Sequence, residues 1–179
     1  MDSKDNNDVC TYSVCQLKNI SCFGCCGRKF KSKASVTKQI NSNTYEFRKI
    51  RVVSSLNLLR FRDRFSDDNW AVSDSGVCTN LVKFDNGVFA CPLHKNINDL
   101  VDKKEFLFIS QKDLRWGHCD VNFECETVKI YKRLDDKIKK EYIEWLLKLT
   151  DIDDYSYSVL NVDGVLIKRF LREIKHKVI

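Results

Sequence analysis

"SCFGCCGRKF", residues 21–30, places three cysteines within five positions, Cys22, Cys25 and Cys26, in a segment that also carries Gly24 and Gly27. The segment is too short and polar to build a core of its own. Whatever organises its thiols must come from elsewhere in the chain. Two thiolates three residues apart on a tight turn can point at one ion, about 2.3 Å from each sulfur. Gly24 and Gly27 are expected to free the backbone for that turn.

The whole chain has 179 residues and nine cysteines. A chain of this length can bury a working core, so disulfides are not needed to rescue folding. The odd number argues against a closed disulfide framework. The opening "MDSKDNND" lacks the basic and apolar regions of a signal peptide. The apolar runs "WLLKL" and "FLFI" are far shorter than a membrane span. A cytosolic protein without membrane association is expected, in a compartment where disulfides do not persist. A lone buried cysteine is often a plain core hydrophobe, but that account does not extend to three in a polar, glycine-bearing segment.

The remaining cysteines and histidines fall into recognisable groups. Cys78 stands at the foot of "VCTNLVKFDNGVFAC", where Asn86-Gly87 between apolar runs is a strong hairpin signal. The hairpin would bring Cys78 toward Cys91. "CPLH" makes Cys91 and His94 a C-x2-H half-site, and "GHCDVNFEC" adds His118, Cys119 and Cys125. Crowded thiols cannot all ionise in a partly buried site without a compensating cation. The pattern therefore points to a metal held by Cys22, Cys25, Cys26, Cys78, Cys91, His94, Cys119 and Cys125. Thiolate-rich sets suit zinc and iron–sulfur clusters alike, and the count fits two zinc ions or one tetranuclear cluster. Cys10, Cys15 and His118 are weaker candidates.

These groups, "CFGCCG", "VCTNLVKFDNGVFACPLHK" and "DLRWGHCDVNFEC", resemble the YkgJ-type cysteine-cluster proteins, described as a zinc- or iron-chelating domain. The flagellin lysine-N-methylases carry a related cluster. The resemblance covers roughly residues 10–130 and implies metal or cluster binding through Cys22, Cys25, Cys26, Cys78, Cys91, Cys119 and Cys125. It also raises an enzymatic alternative, group transfer to protein side chains. No G-x-G-x-x-G loop accompanies it.

The rest of the sequence is read for its fold. Helices are expected over residues 35–48, with Ser35 as N-cap and Val36, Ile40 and Phe47 on one face, and over residues 55–65, with Arg60 and Arg64 outward. "EFLFIS" (105–110) reads as a strand, and residues 125–134 as a strand or the entry to a helix. The clearest helix is 135–149, with Ile138, Tyr142, Trp145, Leu146 and Leu149 on one stripe. "DIDDYSY" breaks it, and a last helix runs from about 165 to 177. The expected fold is α+β, a small loop-rich single domain organised around a Cys/His metal cluster, with a β-hairpin and C-terminal helices. Its expected parts are a disordered 1–9, a cysteine-cluster domain 10–133, and helices 134–179 packed on it. The net charge of +6 is locally concentrated. A metal-stabilised nucleic-acid binder using Arg48, Lys49, Arg51, Arg60, Arg62 and Arg64 is the third, less favoured reading.

Overall fold

Helix α1, Lys33–Arg48, starts where Ser32 Oγ accepts from the Ser35 N–H (3.3 Å). Ser32, not Ser35, is thus the cap, and the helix begins two residues earlier than the apolar spacing suggested. Val36 and Ile40 are buried, as expected. Helix α2, Ser55–Arg62, is capped by Ser54. It ends before Phe65, which is exposed, and Phe61 faces the core. The structure is a computed structural model and describes residues 14–17, 20–65, 72–97, 112–149 and 151–175. The strand expected at 105–110 lies outside them.

Two antiparallel ladders stand among the described residues. Strands β1 (Gln16–Leu17) and β2 (Ile20–Ser21) pair Gln16 with Ser21. Strands β3 (Val82–Lys83) and β4 (Phe89–Ala90) pair Val82 with Ala90, which is the expected hairpin. Its turn places Gly87 at φ +86°, a conformation open to glycine. The C-terminal part folds into α3 (Glu126–Lys132), α4 (Asp136–Leu147), α5 (Asp154–Val162) and α6 (Val165–Lys175). Residues 125–134 are therefore a helix with Cys125 as its N-cap residue. "DIDDYSY" starts a helix rather than only ending one, because Asp153 Oδ1 accepts from the Ser156 N–H (2.9 Å) and caps it. The fold is α+β, as the sequence indicates.

The chain divides into two compact units, Met1–Cys25 with Glu124–Ile179, and Cys26–Phe123. The division runs through the segment 10–133 that was expected to form one cysteine-rich domain.

In the first unit, α6 packs against α3, α4 and α5, and α5 lies on β2. The core gathers Val14, Cys22, Tyr131, Tyr142, Leu146, Tyr157, Ile167 and Phe170. Tyr142 stacks on Trp145 (6.1 Å between centroids) and meets Phe170 at 5.2 Å. The indole N–H of Trp145 donates to Glu173 Oε2 (2.8 Å).

In the second unit, α1 packs on β3. Phe47 sits edge-on to Phe61 and Phe84, at 5.5 and 5.8 Å. Around them Val82, Ala90 and Ile97 complete a small core. Asn43 on α1 is buried and its amide donates to the carbonyls of Cys78 and Leu81, both at 3.0 Å. Arg64 points inward, contrary to expectation. It donates to Phe61 O (2.5 Å), Asn80 Oδ1 (2.9 Å) and Thr79 O. Thr79 and Asn80 lie in the irregular 78–81 loop, so Arg64 ties that loop to the end of α2.

Candidate metal centre

Backbone register decides which cysteines face each other. Continuing the β1–β2 ladder by one step sets Cys15 opposite Cys22, and the Cys22 N–H donates to Cys15 O at 2.7 Å. Directly opposed residues have Cβ atoms about 5 Å apart. A second pairing, Gly27 with Val77, sets Cys26 opposite Cys78, and the Cys78 N–H donates to Cys26 O at 2.7 Å. The adjacent Cys25 and Cys26 belong to different units.

In the first unit Cys22 is held from α5. Asp154 Oδ1 accepts from the Ser21 N–H (2.7 Å), Ser158 Oγ accepts from the Phe23 N–H (2.9 Å), and the Asn161 amide donates to Cys22 Sγ (3.6 Å). These three polar residues follow i, i+4, i+7 spacing and share one helix face. The Asn161 carbonyl accepts from the Thr127 hydroxyl (2.5 Å), which ties the start of α3, and with it Cys125, to the same place. The Tyr157 hydroxyl donates to Val14 O (2.7 Å) beside Cys15. Burial first, then the neighbouring thiols Cys22, Cys25 and Cys125, pushes the Cys15 thiol well up. Burial and Cys25 likewise push Cys22 up to about 12. Cys125 is raised by burial and then by Cys25, against the N–H groups of Val128 and Thr127 that favour its thiolate.

The second unit contains Cys26, Cys78, Cys91 and Cys119. Burial raises Cys78 to about 11, with Cys119 adding to the shift. Burial and then Cys78 raise Cys91, against the N–H of Leu93. The Leu114 N–H donates to Leu93 O (2.9 Å), so the 112–119 loop lies on the C-P-L-H turn. Arg115 there forms a fork with Asp113, Nε to Oδ1 at 2.8 Å and a terminal nitrogen to Oδ2 at 2.6 Å. Burial works against the Arg115 charge, but Asp113 outweighs it, and Cys119 and Cys91 add to the upward shift.

The glycines act only partly as expected. Neither Gly24 nor Gly27 has positive φ. A Cβ on Gly24 would come within 2.6 Å of Ser158 O, and one on Gly27 within 2.3 Å of Gly76 O. Gly24 lies in a turn, as expected, and both glycines also permit close backbone approach.

Of the candidate ligands, Cys22, Cys25 and Cys125 lie in one group and Cys26, Cys78, Cys91 and Cys119 in the other. Cys15, a weaker candidate from sequence, sits directly opposite Cys22. The signal that exposes it is the hairpin register, and the D-x3-S-x2-N spacing of α5 marks the face that holds it. His94 is half-buried, and its Nδ1 accepts from the Asn96 N–H (3.1 Å) within its own turn. Burial, then Arg62, lowers the His118 pKa. Its Nε2 is buried without a hydrogen-bond partner among the described residues. Trp116 is exposed and packs into no core. Cys10 lies outside the described residues. Register pairs Cys15 with Cys22 and Cys26 with Cys78, but the thiols are not closed around a point: among the described residues, no three Cys, His, Asp or Glu side chains form a set that could hold a metal ion.

The basic residues of the nucleic-acid reading are largely engaged. Arg48 pairs with Asp85 (2.5 Å), Lys49 with Glu46 (2.7 Å) and Arg62 with Asp63 (2.6 Å), while Arg64 serves the 78–81 loop. No helix among the described residues is long and apolar enough to cross a membrane. Comparison with family models, with curated proteins and with solved structures finds no match to this chain.

One buried group stands out beside the first set of thiols. The Tyr142 side chain is fully buried and its hydroxyl has no hydrogen-bond partner among the described residues. Burial, then Cys125 and Cys22, pushes its ionisation up. An orphaned buried hydroxyl costs about 1–3 kcal/mol. Tyr142→Phe keeps the ring packing, so in metal-free protein it is expected to stabilise by about 1 kcal/mol in urea unfolding. A loss of stability in that experiment would show that the hydroxyl has a partner.

Proposed function

We propose that this chain is a metal-chelating protein that holds zinc or an iron–sulfur cluster through its clustered cysteines. One observation carries the reading. Cys22, Cys78, Cys91 and Cys125 each have the N–H of the residue two positions on directed at the sulfur, from Gly24, Asn80, Leu93 and Thr127. Asn80 N stands 3.4 Å from Cys78 Sγ. Such donors favour thiolate over thiol. Burial and the neighbouring thiols act the other way and favour the neutral thiol. A cation is the component that makes the arrangement consistent, because it neutralises the thiolates that the N–H groups prepare. Asn161 would orient Cys22, and Arg115 would offset the negative charge around Cys91 and Cys119.

The resemblance to YkgJ-type proteins points the same way. Protein purified without oxygen is expected to carry metal by elemental analysis, colourless if zinc and brown if an iron–sulfur cluster. Protein that carries no metal after such handling, and takes up neither zinc nor iron with sulfide, overturns the reading.

A further inference from the structure

We infer that the cleft between the end of α1 and α2 is an anion site that takes the phosphate group of a small organic phosphate monoester. The cleft lies in the second unit, and the inference is independent of the metal-chelating reading. Its volume is about 410 Å³, within the range of small-molecule sites. Lys49, Arg51, Arg60 and Arg64 line it with one carboxylate, that of Glu46. Lys49 already pairs with that carboxylate (2.7 Å). Among the described residues Arg51, Arg60 and Arg64 have no ion-pair partner. One wall of the cleft therefore carries positive charge that nothing in the chain balances.

The cations are held where they are. Arg64 is half-buried and donates only to neutral acceptors: Phe61 O, Asn80 Oδ1, Asn43 Oδ1 and Thr79 O. Its guanidinium lies 3.8 Å from the centre of the Phe61 ring, and its Nε is buried without a partner. A charge withdrawn from water in this way is normally balanced by a counter-ion. Arg60 stands on the same side of α2 as Arg64, four residues earlier. Asn57, three residues before Arg60, donates to Val52 O (2.9 Å). That bond pins the connection bearing Arg51 against the start of α2. Arg51 and Arg60 are themselves exposed and open to a ligand.

The chemistry of the lining names the ligand. A guanidinium fork matches phosphate oxygens. A phosphate monoester carries about two negative charges near neutral pH, whereas each phosphate of a nucleic-acid strand carries one. Cations gathered in one cleft suit the concentrated charge. A nucleic-acid strand needs them spread along a track, and the neighbouring Arg48 and Arg62 are already committed to Asp85 and Asp63. Ile50, Val52 and Phe61 also line the cleft, and they give the carbon part of an organic phosphate an apolar side to rest on.

Calorimetric titration of the full chain with adenosine monophosphate tests this. Wild type should bind it at one site per chain. Arg51→Gln and Arg60→Gln should each weaken binding roughly tenfold or more, while Arg172→Gln, an exposed arginine of α6, should leave it unchanged. All three substitutions are at exposed positions, so an unaltered thermal midpoint is the control for folding. Inorganic phosphate should displace the nucleotide only at higher concentration. Wild type that binds no adenosine monophosphate, or binding that survives both cleft substitutions, overturns the site. Inorganic phosphate bound as tightly as the nucleotide overturns the organic ligand. A single-stranded DNA oligonucleotide that binds in preference, with affinity falling steeply as salt rises, overturns the proposal in favour of a nucleic-acid surface.

Discussion

Stripping the metal from loaded protein with a strong chelator is expected to lower its thermal midpoint by roughly 10 °C or more. The regular structure around the thiols is thin. Every strand among the described residues is two residues long, and isolated two-stranded hairpins are marginal in water. In the second unit the cysteines sit on segments with little regular structure, held by Asn43, Arg64 and a small aromatic core. An ion held by thiolates would cross-link such segments, and its binding free energy would become folding free energy. If it contributes about 5 kcal/mol, the shift follows, since 1 kcal/mol moves the midpoint of a protein this size by about 2–4 °C. Lowering the pH should reproduce the effect. Protons compete for the thiolates, so stability from the ion is present at neutral pH and lost as the pH falls. Differential scanning calorimetry with and without chelator reads this directly, and an unchanged midpoint in metal-loaded protein would count against a structural ion.

Tyr157→Ala is expected to cost about 4 kcal/mol, and Tyr157→Phe about 1 kcal/mol. Tyr157 is fully buried, and its hydroxyl holds Val14 O at 2.7 Å. The alanine variant therefore loses both the ring packing and the hydrogen bond that secures the segment ahead of Cys15. The phenylalanine variant loses only the bond and leaves one carbonyl short of a partner. Chemical denaturation of both variants separates the two contributions. Equal costs would mean that the hydroxyl, not the ring, carries the effect.

Much of the local structure is legible in the sequence because it rests on short-range patterns. The stripe Tyr142, Trp145, Leu146 sets α4, and Asn86-Gly87 sets the β3–β4 hairpin. The misreadings share a cause. Asp153 and Asp154 look like a break because acidic residues suit caps as well as loops, and here Asp153 caps a new helix. Arg64 reads as a surface charge because its distant partners, Thr79 and Asn80, are recognisable only once the 78–81 loop is folded. Gly27 reads as a turn residue because the backbone it accommodates, at Gly76, comes from a distant part of the chain; Gly24 does sit in a turn, but its contact with Ser158 is equally hidden in the sequence.

The sequence by itself determined that thiols dominate the chemistry of this chain, and where its principal helices and its hairpin begin. It could not determine which thiols belong together. Adjacent side chains leave the backbone in different directions, whereas partners across a ladder are chosen by register, and register is a property of the folded chain. Only the tertiary structure set Cys15 against Cys22 and Cys26 against Cys78. It thereby parted the neighbours Cys25 and Cys26 of "CFGCC" into different units.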